Sequence, residues 1–168
     1  KLSCPNGTKL TLRVRKPFWT DGVTCDAEMT EKNGYLVVEK VWNDGDTVFF
    51  DFAMPVRRVY ASPYVRQDLG KVCLMRGPLV YCLEEADNGN NLHLVSLPEE
   101  SEIALGQGEG VLSGMTTLKA KGLRIVPEEG TLYRGAPCRR KEETQLTFIP
   151  YFAWANRGVG EMTVWVRE

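Results

Sequence analysis

Apolar and polar residues alternate with a period of two through much of this chain. Leu10, Leu12 and Val14 are interleaved with Thr11, Arg13 and Arg15, the pattern of a strand with one buried face. Tyr35 to Trp42 is a β-branched and aromatic run, followed by Asn43-Asp44-Gly45-Asp46 and then Thr47 to Ala53, where Val48, Phe50 and Phe52 share one face. Two such runs around an Asp-Gly turn predict a hairpin. Further strands are predicted at Arg57–Ala61, Val72–Met75, Pro78–Leu83, Leu92–Leu97, Leu118–Ala120, Leu123–Val126, Gln145–Ile149 and Glu161–Arg167. Only Glu99–Leu105 reads as a helix, of about two turns. The 16 Gly and 9 Pro fall between the runs, with Pro78 at the start of one, as turn punctuation does.

Many short strands with this punctuation predict an all-β chain, a β-sandwich or jelly roll. A sandwich needs roughly 100 residues, and residues 62–168 fill one. Residues 1–61 supply only three or four strands, thin for a core of their own. The expectation is therefore the last strands of a first, truncated sandwich, followed by a complete second one.

Composition narrows the function. At 43% hydrophobic and 26% charged residues, the chain is that of a globular domain and can bury a core. Lys plus Arg (21) nearly balance Asp plus Glu (22), for a net charge of −1. Such a chain has no field to draw in nucleic acid. No apolar run approaches the roughly 18 residues that span a bilayer, so no membrane partner is expected. The five cysteines, Cys4, Cys25, Cys73, Cys82 and Cys138, form no C-x-x-C pair. They read as reduced thiols, without a zinc or redox motif, which mildly favours a cytoplasmic protein.

Candidate chemistry is sparse. His93 is the only histidine; it alternates with Leu92 and Leu94 and reads as a surface residue. No G-x-S-x-G elbow accompanies it, and one His cannot build a zinc site. The carboxylates Glu84-Glu85-x-Asp87 and Glu99-Glu100-x-Glu102 are sequence neighbours, read as solvated loops. A glycosidase needs two carboxyl groups facing each other across a cleft. Asp87-Asn88-Gly89 lacks the spaced ligands of a calcium loop. No catalytic or metal-binding residue is therefore assigned in this chain. Aromatics carry more information. Tyr151, Trp154, Asn156, Arg157 and Trp165 are singled out as candidates for an interface or for stacking on sugar rings, with Phe152 beside them and Asn156-Arg157-Gly158 as the loop that orients them. Arg157 is suited to this because its planar fork can take a carboxylate or backbone carbonyls.

Three stretches resemble one known family. They are Leu12-Arg13-Val14-Arg15-Lys16-Pro17-Phe18-Trp19 with Val41-Trp42-Asn43-Asp44-Gly45-Asp46-Thr47-Val48; Met54-Pro55-Val56-Arg57-Arg58-Val59 running on to Gly70-Lys71-Val72-Cys73-Leu74-Met75-Arg76-Gly77-Pro78-Leu79-Val80-Tyr81-Cys82; and Ile149-Pro150-Tyr151-Phe152-Ala153-Trp154-Ala155-Asn156-Arg157-Gly158 with Gly160-Glu161-Met162-Thr163-Val164-Trp165. In order and spacing they resemble the C-terminal part of glycoside hydrolase family 127, the β-L-arabinofuranosidase type. The resemblance implies a parent with an upstream (α/α) barrel that carries catalysis, followed by two β-sandwich regions. It implies retaining hydrolysis of plant-derived arabinosides by a zinc-bound cysteine nucleophile and a Glu acid/base. Those residues lie outside this chain. Cys4-Pro5-Asn6 has one Cys and one Pro where the family's nucleophile stretch has two of each, and it sits too close to Leu12–Trp19, so it is not that motif. The chain is thus expected to be a non-catalytic accessory region that buttresses its own upstream barrel. A carbohydrate-binding module and a homodimerisation element are the alternatives. No cofactor is expected in this chain, and zinc is expected in the missing catalytic domain.

Overall fold

Each strand of a sheet has two edges, and which edges are taken decides the architecture here. A computed structural model describes residues 1–128, 130 and 132–168. The chain divides into two units, Lys1–Pro55 and Val56–Glu168. The sequence placed the boundary at 61/62. Val56–Val59 stand instead with the second unit, because they pair with a strand there.

The first unit holds β1 (Thr8–Arg15), β2 (Val23–Cys25), β3 (Thr30–Lys32), β4 (Tyr35–Trp42) and β5 (Phe50–Phe52). The alternating run becomes β1, which pairs antiparallel with the whole of β4, from Thr8↔Trp42 to Arg15↔Tyr35. The other edge of β4 is taken by β3. No edge remains for the predicted hairpin partner. The chain does reverse at Asn43–Asp46, where Gly45 takes φ 85°, a conformation glycine adopts without penalty. It then runs on to Phe50–Phe52, which pairs with β2. The flank of the turn is occupied by the N-terminal segment: Leu2 N–H donates to the Asp46 carbonyl at 2.8 Å, and Asp44 N–H to Asn6 Oδ1 at 2.9 Å. Leu36, Val38 and Trp42 are buried, and the Trp42 indole N–H is satisfied by the Leu10 carbonyl at 2.9 Å.

The second unit holds β6 (Val56–Val59), β7 (Lys71–Arg76), β8 (Leu79–Glu84), β9 (Val95–Ser96), β10 (Ile103–Gln107), β11 (Thr116–Ile125), β12 (Lys141–Pro150), β13 (Met162–Thr163) and β14 (Val166–Arg167). Pairing runs β13-β8-β12-β11-β9-β14-β7-β6, with β10 on β11 and a further β7–β8 pairing. Six strands, β8-β12-β11-β9-β14-β7, thus close on themselves. The unit is nearly all-β, in keeping with a β-sandwich. Its core is filled from alternate positions: Leu74, Tyr81, Leu83, Leu118, Leu146 and Phe148. The opposite parity of β8 and β12 buries Cys82 and Ile149 in a second cluster with Leu112 and Ala153. Both faces of β8 are therefore dry near its end, which determines the fate of Glu84.

Several local expectations change for tertiary reasons. Glu99–Leu105 is not a helix. Ile103–Gln107 extends along the edge of β11, from Ile103↔Ala120 to Gln107↔Thr116, and ladder pairing outweighs weak local propensity. Leu118–Ala120 and Leu123–Val126 are parts of one strand, joined through Gly122. A Cβ there would lie 2.4 Å from Leu146 Cδ1 and 2.8 Å from the Ser96 carbonyl oxygen, so glycine marks close packing, not a turn. In Leu92–Leu97 only Val95–Ser96 is strand, after a 3₁₀ turn over Leu92–Leu94. Glu161–Arg167 is split at Val164–Trp165, where the Thr163 hydroxyl donates to the Trp165 carbonyl at 3.0 Å. A single helical turn, α1, lies at Glu85–Asn88.

Candidate functional site

Past Pro150, β12 cannot continue its ladder, and the chain makes a 3₁₀ turn over Tyr151–Ala153. Ala153 points inward and is buried in the second cluster. Its neighbours are pushed outward: Tyr151 is 43%, Phe152 62% and Trp154 40% exposed. The Tyr151 and Trp154 rings stack with centroids 6.3 Å apart at 28°, within the range of favourable aromatic pairs. The sequence thus places three large aromatics at the surface on a turn anchored by one small residue.

The loop that follows is held from below. Ala155 takes φ 62°, a left-handed conformation unfavourable for a residue with a Cβ. Its N–H donates to Glu84 Oε1 at 2.7 Å, which offsets the strain. Asn156 Nδ2 donates to the Ala153 carbonyl at 3.0 Å and closes the turn. Arg157 then reaches back with its fork. One terminal nitrogen donates to Asp87 Oδ1 at 2.7 Å, and the other bridges Asp87 Oδ2 and Glu84 Oε2, the latter at 2.5 Å. Hydrogen bonding to Asp87 in particular, opposed by burial, holds the guanidinium even more firmly protonated than usual.

Glu84 is only 6% exposed. It ends the β8 strand whose two faces are both covered, so its carboxylate is largely withdrawn from water and takes Ala155 and Arg157 as partners. The expectation of a solvated acidic loop fails for this residue. Asp87 serves the same cation from α1. Next to Asp87, Asn88 pairs with β12 as a strand residue would: its Nδ2 donates to the Thr147 carbonyl at 2.9 Å, and its Oδ1 accepts from Thr147 N–H at 2.8 Å. Asn88 Nδ2 also donates to the Glu84 carbonyl at 2.9 Å. A second tie follows the loop, where Glu85 and Glu161 exchange bonds of 2.9 Å in both directions.

The structure brings together Tyr151, Trp154, Asn156 and Arg157 from the predicted set. It does not bring Trp165 to them; that ring lines a separate recess with His93 and Arg167. Glu84, Asp87 and Asn88 were missed as members of the site. One signal was available: Glu84 directly continues the apolar run Leu79–Leu83, where a charge requires a partner.

Glu84 and Asp87 are both bound to one arginine. Burial above all pushes the Cys73 thiol up to about 11 and the Cys82 thiol up to about 12, which keeps both in the neutral form at neutral pH. Among the described residues no group of three His, Cys, Asp or Glu could hold a metal, so the zinc implied by the family resemblance does not fit here.

Residues 56–167 match the glycoside hydrolase family 127 C-terminal domain. The chain is 38% identical over 142 residues to a non-reducing end β-L-arabinofuranosidase of Bifidobacterium longum subsp. longum, covering 80% of this chain and 21% of that protein. It superposes with a TM-score of 0.86 and 39% identity on a crystal structure of a GH127 β-L-arabinofuranosidase from Geobacillus stearothermophilus T6, over 99% of this chain and 27% of that one. A GH127 β-arabinofuranosidase structure matches with a TM-score of 0.80 and 29% identity, over 98% of this chain and 29% of its own. The chain thus spans between about a fifth and three tenths of the length of these relatives. It belongs to glycoside hydrolase family 127, and residues 56–167 are the C-terminal domain of that family's β-L-arabinofuranosidase-like proteins.

Proposed function

We propose that this chain is a non-catalytic accessory region of a β-L-arabinofuranosidase-like glycoside hydrolase, and that its Tyr151–Arg157 loop seats against the catalytic barrel of the same protein. The observation that carries this reading is the clamped aromatic turn. Stacked Tyr151 and Trp154 are held outward by an anchored Ala153 and a doubly paired Arg157. Exposed aromatics on a preorganised loop are what a contact surface uses, because little side-chain freedom is lost on docking. The relatives' greater length supports a partner in the same polypeptide. In this reading the barrel supplies the zinc, the cysteine nucleophile and the acid/base, and the loop here acts by positioning.

The test is a double variant, Tyr151→Ala with Trp154→Ala, in the complete enzyme. Truncation of a central aromatic contact typically costs about 2 kcal/mol or more of interface energy. The expected result is lower thermal stability of the catalytic part, with arabinoside hydrolysis lost at a lower temperature. Unchanged inactivation temperature and activity would remove the loop from the interface.

A further inference from the structure

Antiparallel pairing sets Arg167 of β14 directly opposite Lys71 of β7. Opposed residues on adjacent strands project to the same face, with Cα atoms about 4.5–5.5 Å apart, and like charges placed so are unfavourable. The neighbouring pair Val166↔Val72 is buried in the core, so Arg167 and Lys71 both point outward. Among the described residues neither makes an ion pair. Both line one recess of about 390 Å³, together with Trp165, Thr163, His93 and Glu161.

The fold does not require two cations there; neutral residues would pair equally well. Over the recess their two charges exceed the single Glu161 carboxylate beside them, which leaves a net positive site for an anionic group from outside. The remaining walls define that ligand further. Trp165 is half-buried and is among the residues lining the recess, and indole rings are a common platform for sugar rings. The Glu161 carboxylate is fixed by the backbone N–H groups of Asn91 and Leu92, at 3.2 and 2.7 Å. It can accept sugar hydroxyls, and it repels a ligand carboxylate towards the Lys71–Arg167 end. The volume falls at the small end of the roughly 300–1,000 Å³ of ligand pockets, suited to one ring rather than a chain.

We propose that this recess binds a carboxylated monosaccharide unit, a uronate, with its carboxylate between Arg167 and Lys71 and its ring against Trp165. An arginine fork takes a carboxylate in two parallel bonds, while the aromatic wall distinguishes a sugar acid from a simple anion. This site shares no residue with the Arg157 loop and stands or falls independently of the accessory role.

The experiment is calorimetric titration of the protein with D-glucuronate, with D-glucose and inorganic phosphate as comparison ligands, at low and at 0.5 M salt. A ligand of this size is expected to bind with a dissociation constant on the order of 1 mM. Glucose should bind at least about tenfold more weakly, and Arg167→Gln and Lys71→Gln should each weaken glucuronate about tenfold. Trp165→Phe should abolish the glucuronate-induced fluorescence change. All three variants should keep the wild-type melting temperature to within a few degrees, because each side chain lies outside the core. Equal binding of glucose and glucuronate, binding of phosphate as tight as glucuronate, no measurable binding, or an unchanged affinity in Arg167→Gln would each overturn the assignment.

Discussion

Replacing Arg157 by glutamine removes one cation from two carboxylates at once, and the consequence can be worked from the site. Glu84 is nearly buried, and the Arg157 and Asp87 side chains are 21% and 20% exposed. Breaking a fully buried ion pair by removing one partner costs about 3–5 kcal/mol. Asp87 can turn to water and Glu84 keeps the Ala155 N–H, so the loss here is about 2–3 kcal/mol. In a unit of about 110 residues this corresponds to a fall in melting temperature of roughly 10 °C. Urea unfolding of wild type, Arg157→Gln, Glu84→Gln and the double variant forms the appropriate cycle. Glu84→Gln leaves the arginine its Asp87 partner and should lose less than Arg157→Gln. The double variant should be more stable than the sum of the single effects predicts, by about 1–2 kcal/mol, since neighbours in one network couple. Near-ultraviolet circular dichroism should also weaken in Arg157→Gln as the Tyr151–Trp154 stack loosens. A loss below about 0.5 kcal/mol with strictly additive singles would refute the clamp.

Asn88→Ala removes both bonds to Thr147 and the one to Glu84; it should destabilise the second unit by about 2–3 kcal/mol, read as an earlier urea midpoint. Gly122→Ala forces a methyl onto Leu146 and the Ser96 backbone, and differential scanning calorimetry should show a loss of about 1–3 kcal/mol. The Cys73 and Cys82 thiols sit at about 11 and 12, raised from 9.0. Their neutral forms therefore favour the folded state, a contribution complete below pH 9 and lost as pH rises from 9 to 12. Iodoacetamide at pH 8 should spare both until the chain is unfolded, whereas modification of the native protein at the rate of a free thiol would show them accessible.

The sequence made the strands legible wherever one face is buried, since alternation records that directly. β1 and β4 stand close to the predicted runs. What it could not reveal was partnership. The hairpin after Trp42 failed because β1 and β3 had already taken both edges of β4, a fact of chain segments far from the turn. Glu99–Leu105 read as helical because β11's free edge is invisible locally. Gly122 looked like a break because close approach and flexibility leave the same letter. At the candidate site Tyr151, Trp154 and Arg157 were legible as interface or sugar-stacking candidates from their residue types alone. Glu84 and Asp87 were not, because the covering of both faces of β8 depends on Leu112, Ile149 and Ala153, which arrive from elsewhere in the chain.

The central proposal is that this chain supports chemistry carried out by the catalytic barrel of the same protein. Incubating the isolated chain with a chromogenic β-L-arabinofuranoside, in the presence and absence of added zinc, tests it most directly. The account predicts no release of arabinose above the buffer blank under either condition, because in the proposed reading the nucleophile and the acid/base belong to the catalytic barrel outside these residues; measurable, chain-dependent release would contradict it.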